Sequence, residues 1–378
     1  QEPVTAALPT LKNAYKVGLE TGDLEFSALP SAIYSYYSYL AGNHLSEVNQ
    51  DFIKYTQAVT QIKQEYYLNF LCIWHQAVDN LLGNSDKASD LVGDVCNAPE
   101  LLSQFEQENV TTPMAYIYIN NLMLNYLFGN FTEAIKYVSI SQEYARMVPA
   151  TLLIPISNFY GSLVQLSTLT DTSSPQQKYT LGLVKSCLEQ LQNWAKYAPM
   201  NFQHKFDLVE AEKHRILDDK IKAIELYEKA ICGAKENAYI QEEALANELA
   251  AKFYLEWGKE TIATTYMQQA YYCYARWGAK AKTDDLENSY PQLLQPILQQ
   301  ATEAVNYGES LAKIATQNIS IHSSKSTINY TGTNINTVLD FASIIKTSQT
   351  LSRTIELKQL LTQFTQIILQ NSGGIRGR

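Results

Sequence analysis

Helical patterning in this chain stops at short breaks and restarts in the same phase, which constrains the fold more than any single motif. The breaks carry Gly, Asn or Asp: Gly22-Asp23, Gly42-Asn43, Gly83-Asn84, Gly129-Asn130, Asp218-Asp219 and Gly258. Five residues after a break comes a small residue: Ala134 after Gly129, Ala223 after Asp218, Ala263 after Gly258. Ser27 holds that place after Gly22, whereas Glu47 after Gly42 departs from the rule. In the best pair the whole following helix aligns, with Ala223, Tyr227 and Ala230 against Ala263, Met267 and Ala270 at a constant offset of 40. Positions 0, 4 and 7 share one helix face. Two small residues flanking a large one let a neighbouring helix come close and receive one bulky side chain.

Most of residues 9–317 reads with the same period. Ala246, Leu249, Ala250, Phe253 and Tyr254 form one apolar stripe, and no alternating strand pattern competes with it. Connections this short imply antiparallel neighbours. The expected fold is therefore all-α: an antiparallel helix-hairpin repeat solenoid of tetratricopeptide type over residues 1–317. The usual unit is about 34 residues, and the units here are longer. Residues 207–214 read DLVEAEKH in place of the usual Trp-x2-Leu-Gly pattern. TDTSSPQQ, residues 170–177, reads as an inter-helix loop. Residues 318–334 are expected to be a linker, because 318–333 are rich in Ser, Thr and Asn without an apolar stripe. Beyond it Phe341, Ile344, Ser348, Leu351 and Ile355 alternate spacings of 3 and 4, a short heptad seam in a C-terminal signalling helix over residues 335–378. A second stripe runs from Leu357 to Ile368.

Composition fits this reading. Only 16 Gly and 11 Pro occur in 378 residues, against 26 Tyr, which suits packed helices better than a loop-rich α/β enzyme. The formal charge of -9 argues against nucleic acid or an anionic membrane as the main partner. No apolar run reaches the ~20 residues of a membrane span. Five cysteines, Cys72, Cys96, Cys187, Cys232 and Cys273, have no CxxC pair. They read as free thiols of a reducing compartment, so the expected location is cytoplasmic. Gln1-Glu2-Pro3 lacks both an initiating Met and a signal pattern, as expected of an excised segment.

No phosphate loop, protein-kinase signature, GxSxG elbow or HExxH occurs. Glu210 and His214, four apart, read as a surface hydrogen-bonded pair, since a metal site needs three or four ligands. His75, beside Trp74, reads as a satisfied core histidine. Glu242, Glu243 and Glu248 read as a solvated face with a first-turn charge preference, and Arg276, Lys280 and Lys282 as cations at a helix end. The clusters Tyr34, Tyr36, Tyr37, Tyr39 and Tyr271, Tyr272, Tyr274 read as core filling. No catalytic, metal-binding or cofactor-binding residue is expected.

The run NWAKYAPMNFQHKFDLVEAEKHRILDDKIKAIELYEKAI, followed by NAYIQEEALANELAAKFYLEWGKETIATTYMQQAYYCYARWGAKAK and YPQLL, resembles the helical region of very large cyanobacterial signalling proteins. GLETGDLEFSALP near the start does so too. In that family a serine/threonine kinase and an AAA-type ATPase precede the helical region, and a GAF sensor and a histidine kinase follow. The last stretch, LDFASIIKTSQTLSRTIELKQLLTQFTQIILQNSGG, looks like the helix entering the GAF domain, which would be truncated here. The resemblance implies a non-enzymatic regulatory segment in a kinase, coupling ATPase and sensor modules. Its partners would be other proteins or neighbouring domains of the same polypeptide, and a homodimer would form through the C-terminal helix. Two competing readings are an effector- or peptide-binding receptor solenoid and a helical enzyme with an unrecognised site.

Overall fold

A computed structural model of the chain describes residues 2–169 and 175–299. The linker at 318–334 and the helix at 335–378 lie outside the described residues. So does most of the unit Gln295–Arg378 into which contacts divide the chain. The other unit, Gln1–Leu294, is the one described below.

After a 3-10 turn at Val4–Ala6 come α1 (Ala7–Thr21), α2 (Glu25–Leu40), α3 (Leu45–Gln61) and α4 (Glu65–Leu82). A loop then leads to α5 (Ala98–Glu108), α6 (Thr111–Leu127), α7 (Phe131–Met147) and α8 (Leu153–Ser167). The remainder comprises α9 (Pro175–Tyr197), α10 (Pro199–Ile216), α11 (Lys220–Glu236), α12 (Ile240–Glu256), α13 (Glu260–Trp277) and α14 (Lys280–Ser289). Among the described residues there is no strand, only an isolated bridge between Val92 and Asn97. The described residues are thus all-helical. The loop expected at 170–177 ends earlier, since α9 opens on Pro175, where a missing N–H costs a helix nothing.

The turns are built alike. Gly22, Gly42, Gly83, Gly129, Gly258 and Gly278 are left-handed, and so are Asp218, Lys63, Asn109 and Ala238. In each case the next N–H reaches back five residues, as from Asp23 to Gly18, Asp219 to His214 and Lys259 to Tyr254. This closes the Schellman pattern and satisfies end carbonyls. Except at Gly83, where a longer loop follows, such a turn joins successive helices within two to four residues, as antiparallel neighbours require.

Two kinds of helix alternate. α3 buries one stripe, Leu45, Val48, Phe52, Tyr55 and Val59, and α7 another, Ala134, Val138, Ser141 and Ala145. By contrast, α6 buries every residue from Pro113 to Leu127 except Asn121, and α8 every residue from Leu153 to Leu166 except Ile154. The contacts explain the difference. Helices α2, α4, α6, α8, α10 and α12 touch one another in succession and form an inner layer. Against it pack α1, α3, α7, α9, α11 and α13, each mainly touching its chain neighbours. A helix flanked on all sides must be apolar or internally paired all round, while one facing solvent needs a single stripe.

The start and finish of this unit meet. Val4 N–H donates to Asn201 Oδ1 at 3.1 Å, and Asn201 Nδ2 donates to Glu2 O at 2.9 Å. Gln241 Nε2 donates to Leu40 O at 2.8 Å, and Tyr39 stacks on Trp277.

Candidate functional site

The six repeat positions lie on outer helices: Ala223, Tyr227 and Ala230 on α11, and Ala263, Met267 and Ala270 on α13. All six are buried. They are packing residues, and of the six only Tyr227 also reaches a polar cluster, through its hydroxyl.

The polar chemistry sits on the inner helices α10 and α12, where the sequence reading expected a solvated face. Glu242, Glu243 and Glu248 are buried, Glu248 only 2% exposed. The correction has a physical cause. α12 is enclosed by α10, α11 and α13, so even its off-stripe side chains meet protein. Lys282, expected among the cations at a helix end, is fully buried in the first turn of α14. Arg276 and Lys280 do keep exposed side chains.

Three ion clusters neutralise this charge. At the N-terminal ends of α10 and α12, Lys205 Nζ donates to Glu242 Oε2 at 2.6 Å and to Asn201 O at 3.1 Å, and His204 Nε2 bonds the same Glu242 oxygen. Burial lowers the pKa of His204 and that of Lys205. Burial alone would raise Glu242, but Lys205 and His204 outweigh it and leave the carboxyl below its ordinary value. Lys205 and His204 thus both favour the charged form of the Glu242 carboxyl they bond.

Further along α10, Arg215 donates to Glu212 Oε2 through Nε at 3.0 Å and Nη2 at 2.8 Å, and the Tyr227 hydroxyl donates to Oε1. On α12, Glu248 accepts from Lys252 at 2.7 Å and from the Tyr274 hydroxyl at 2.8 Å. Lys282 lies 3.4 Å from Glu248 and also donates to Asp285 and to Leu127 O, the latter at 2.7 Å. Burial pushes Glu248 up, but Lys252 and Lys282 overcome it and hold the carboxyl down at about 2. Tyrosines of outer helices thus satisfy carboxylates of inner ones, a use of the abundant Tyr beyond core filling.

Two cavities flank this polar seam. At the N-terminal ends of α8, α10 and α12, a cavity of about 30 Å³ is lined by Tyr39, Tyr160, Lys205, Tyr239, Gln241 and Trp277. That is room for about two waters. The Tyr39 hydroxyl, Trp277 Nε1 and Gln241 Oε1 find no hydrogen-bond partner among the described residues. At the C-terminal ends of α6, α8, α10 and α12 lies a pocket of about 500 Å³. It contains Arg215, Lys252 and Glu256, and its volume is in the range of small-molecule sites.

The other sequence candidates fall into ordinary roles. His214 sits 3.6 Å from Glu210 and 3.1 Å from Asp219, partly buried. Among the described residues no three metal-ligating side chains converge. His75 bonds Asn49 at 2.6 Å and stacks on Phe52. Tyr34, Tyr36, Tyr39, Tyr271 and Tyr274 are buried, while Tyr37 and Tyr272 are half-exposed. All five cysteines are free, with Cys232 exposed. The signal that would have revealed the buried clusters is an acid–base pair at helical spacing inside an apolar run, Glu248 and Lys252 within ALANELAAKFY.

No family model matches the sequence. The chain is 27% identical over 237 residues to hybrid signal transduction histidine kinase G of Dictyostelium discoideum, an alignment covering 52% of this chain. It spans 7% of the length of that relative. The chain is therefore an all-helical protein similar over half its length to a small part of a signal-transduction histidine kinase, and among the described residues no helix is long and apolar enough to cross a membrane.

Proposed function

We propose that the chain is a regulatory, protein-interaction segment of a multidomain signal-transduction kinase. Its helix hairpins act as a tetratricopeptide-like solenoid coupling ATPase and sensor modules in the cytoplasm. The observation that carries this is the similarity to a hybrid histidine kinase, in a chain whose hairpins stack mainly on their neighbours in an inner and an outer layer, with α14 also touching α4. Such a stack transmits displacement from one end to the other, because each unit touches mainly the next. The segment itself performs no catalysis. Its partners are the flanking domains, and the seam of Phe341, Ile344, Leu351 and Ile355 pairs with a second copy.

The coupling is tested in the full-length kinase by following histidine phosphorylation as the N-terminal modules are activated. Ala263→Arg, which places a charge at a fully buried position, should abolish the dependence on those modules while the histidine kinase retains its basal phosphorylation. An unaltered dependence would overturn the coupling role. For the dimer, deleting residues 335–378 should reduce self-association in sedimentation and leave the melting transition of the rest nearly unchanged. A truncated chain that unfolds would make that helix a cap of the solenoid instead.

A further inference from the structure

The pocket at the C-terminal ends of α6, α8, α10 and α12 has a volume of about 500 Å³ and walls of two kinds. One is apolar: Phe131, Leu169, Ile216 and Leu255. The other carries charges of both signs in equal number, Arg215 and Lys252 against Glu212 and Glu256.

These four charges are not equally committed. Glu212 is buried and fully used, accepting from Arg215 and from Tyr227. Arg215 spends Nε and Nη2 on Glu212, and only its Nη1 reaches Glu256, at 3.2 Å. Glu256 has a side chain 62% exposed, and an ion pair with so exposed a partner is worth little. Lys252 spends one N–H on Glu248 among the described residues, leaving two of its three donors. The pocket therefore presents two anchored cations with spare donors and one loosely held carboxylate, beside apolar side chains.

A simple anion would meet Glu256 and the carbonyl ends of helices, whose dipoles disfavour it. A simple cation would meet Arg215 and Lys252. A ligand carrying both charges meets neither objection. We propose that this pocket binds an α-amino acid with an apolar side chain. Its carboxylate takes Arg215 Nη1 and Lys252 Nζ, a charge-assisted pairing. Its ammonium takes Glu256, released from Arg215 by the exchange, and its side chain covers the apolar wall. The site would give the segment a metabolite input of its own, independent of whether flanking modules couple through it.

The test is calorimetric titration of the 378-residue chain with L-leucine, L-methionine and L-phenylalanine. 4-Methylpentanoate, which lacks the ammonium, and isoamylamine, which lacks the carboxylate, serve as controls. At least one of the three amino acids should bind, with each single-charge analogue at least tenfold weaker. Glu256→Gln, at an exposed position, should weaken the amino acid at least tenfold without moving the melting temperature. Leu169→Trp should fill the pocket and block binding, and if that variant fails to fold, Glu256→Gln decides alone. Absence of binding by all three amino acids would overturn the proposal. So would equal binding of a single-charge analogue, or an unchanged affinity in Glu256→Gln.

Discussion

Glu248 shows how one residue can govern its surroundings. It is buried with Lys252, Lys282 and Tyr274 around it, so removing its charge takes the carboxylate partner from Lys252 and leaves Lys282 with Asp285 and the Leu127 carbonyl. Breaking a buried pair from one side costs about 3–5 kcal/mol. Glu248→Gln should lose stability of that order in urea unfolding, whereas Lys229→Gln, in an exposed pair with Glu225, should leave it nearly unchanged. His204 sets a pH dependence. Its pKa lies below the ordinary 6.5 because burial, with Lys205 adjacent, disfavours the charged ring. As pH falls the unfolded chain takes the proton first, so the contribution of the neutral ring is full above about 6.5 and is lost as pH falls through the folded value. The urea midpoint should drop on acidification from pH 7 to 5, and His204→Gln should flatten that slope. A slope unchanged in the variant would assign it to other groups.

Among the elements, the turn after α13 is tightly constrained. Gly278 has φ near +89°, and an added Cβ would stand 3.0 Å from His44 Cε1. Gly129 has φ near +72° with nothing within 4 Å. Gly129→Ala should cost only backbone strain, about 1 kcal/mol. Gly278→Ala should cost clearly more, because the ring of His44 must move as well. Equal losses in thermal unfolding would show that the α13 turn does not hold His44 in place. Breaks at Gly and Asp positions are readable because those residues tolerate the left-handed region. The turns at Lys63 and Ala238 adopt it as well, yet no local signal marks them. There the packing of the flanking helices outweighs a local cost of roughly 1–2 kcal/mol.

In the Gln1–Leu294 unit, long-range ties join elements far apart in sequence. Lys282 Nζ donates to Leu127 O, 155 residues earlier, at the C-terminal end of α6. Lys282→Met would leave that carbonyl without its partner and Glu248 with one cation fewer. A loss of about 3 kcal/mol is expected from an unsatisfied buried acceptor next to a charge. The variant should also raise amide exchange at the end of α6 and in α14 ahead of the rest. Uniform protection across the unit would mean that this tie does not hold the two ends together.

Local patterning, read from the sequence alone, determined the all-helical class, most turn positions and the buried stripes of α11 and α13, because helical period and turn chemistry act within about one turn of the chain. Tertiary structure decided which helices are enclosed on every side. Glu242, Glu248 and Lys282 look like surface charges in sequence, since a helix with charges at spacings of three and four ordinarily faces water. They are buried because α12 and α14 are brought among other helices. Lys252 neighbours Glu248 on its own helix, but only the juxtaposition supplies Lys205 to Glu242, Lys282 to Glu248, the tyrosine hydroxyls and the carbonyl of Leu127, which make burial affordable in free energy. The pocket has the same origin. Arg215, Lys252 and Glu256 come from two helices whose ends meet only after the hairpins between them have folded.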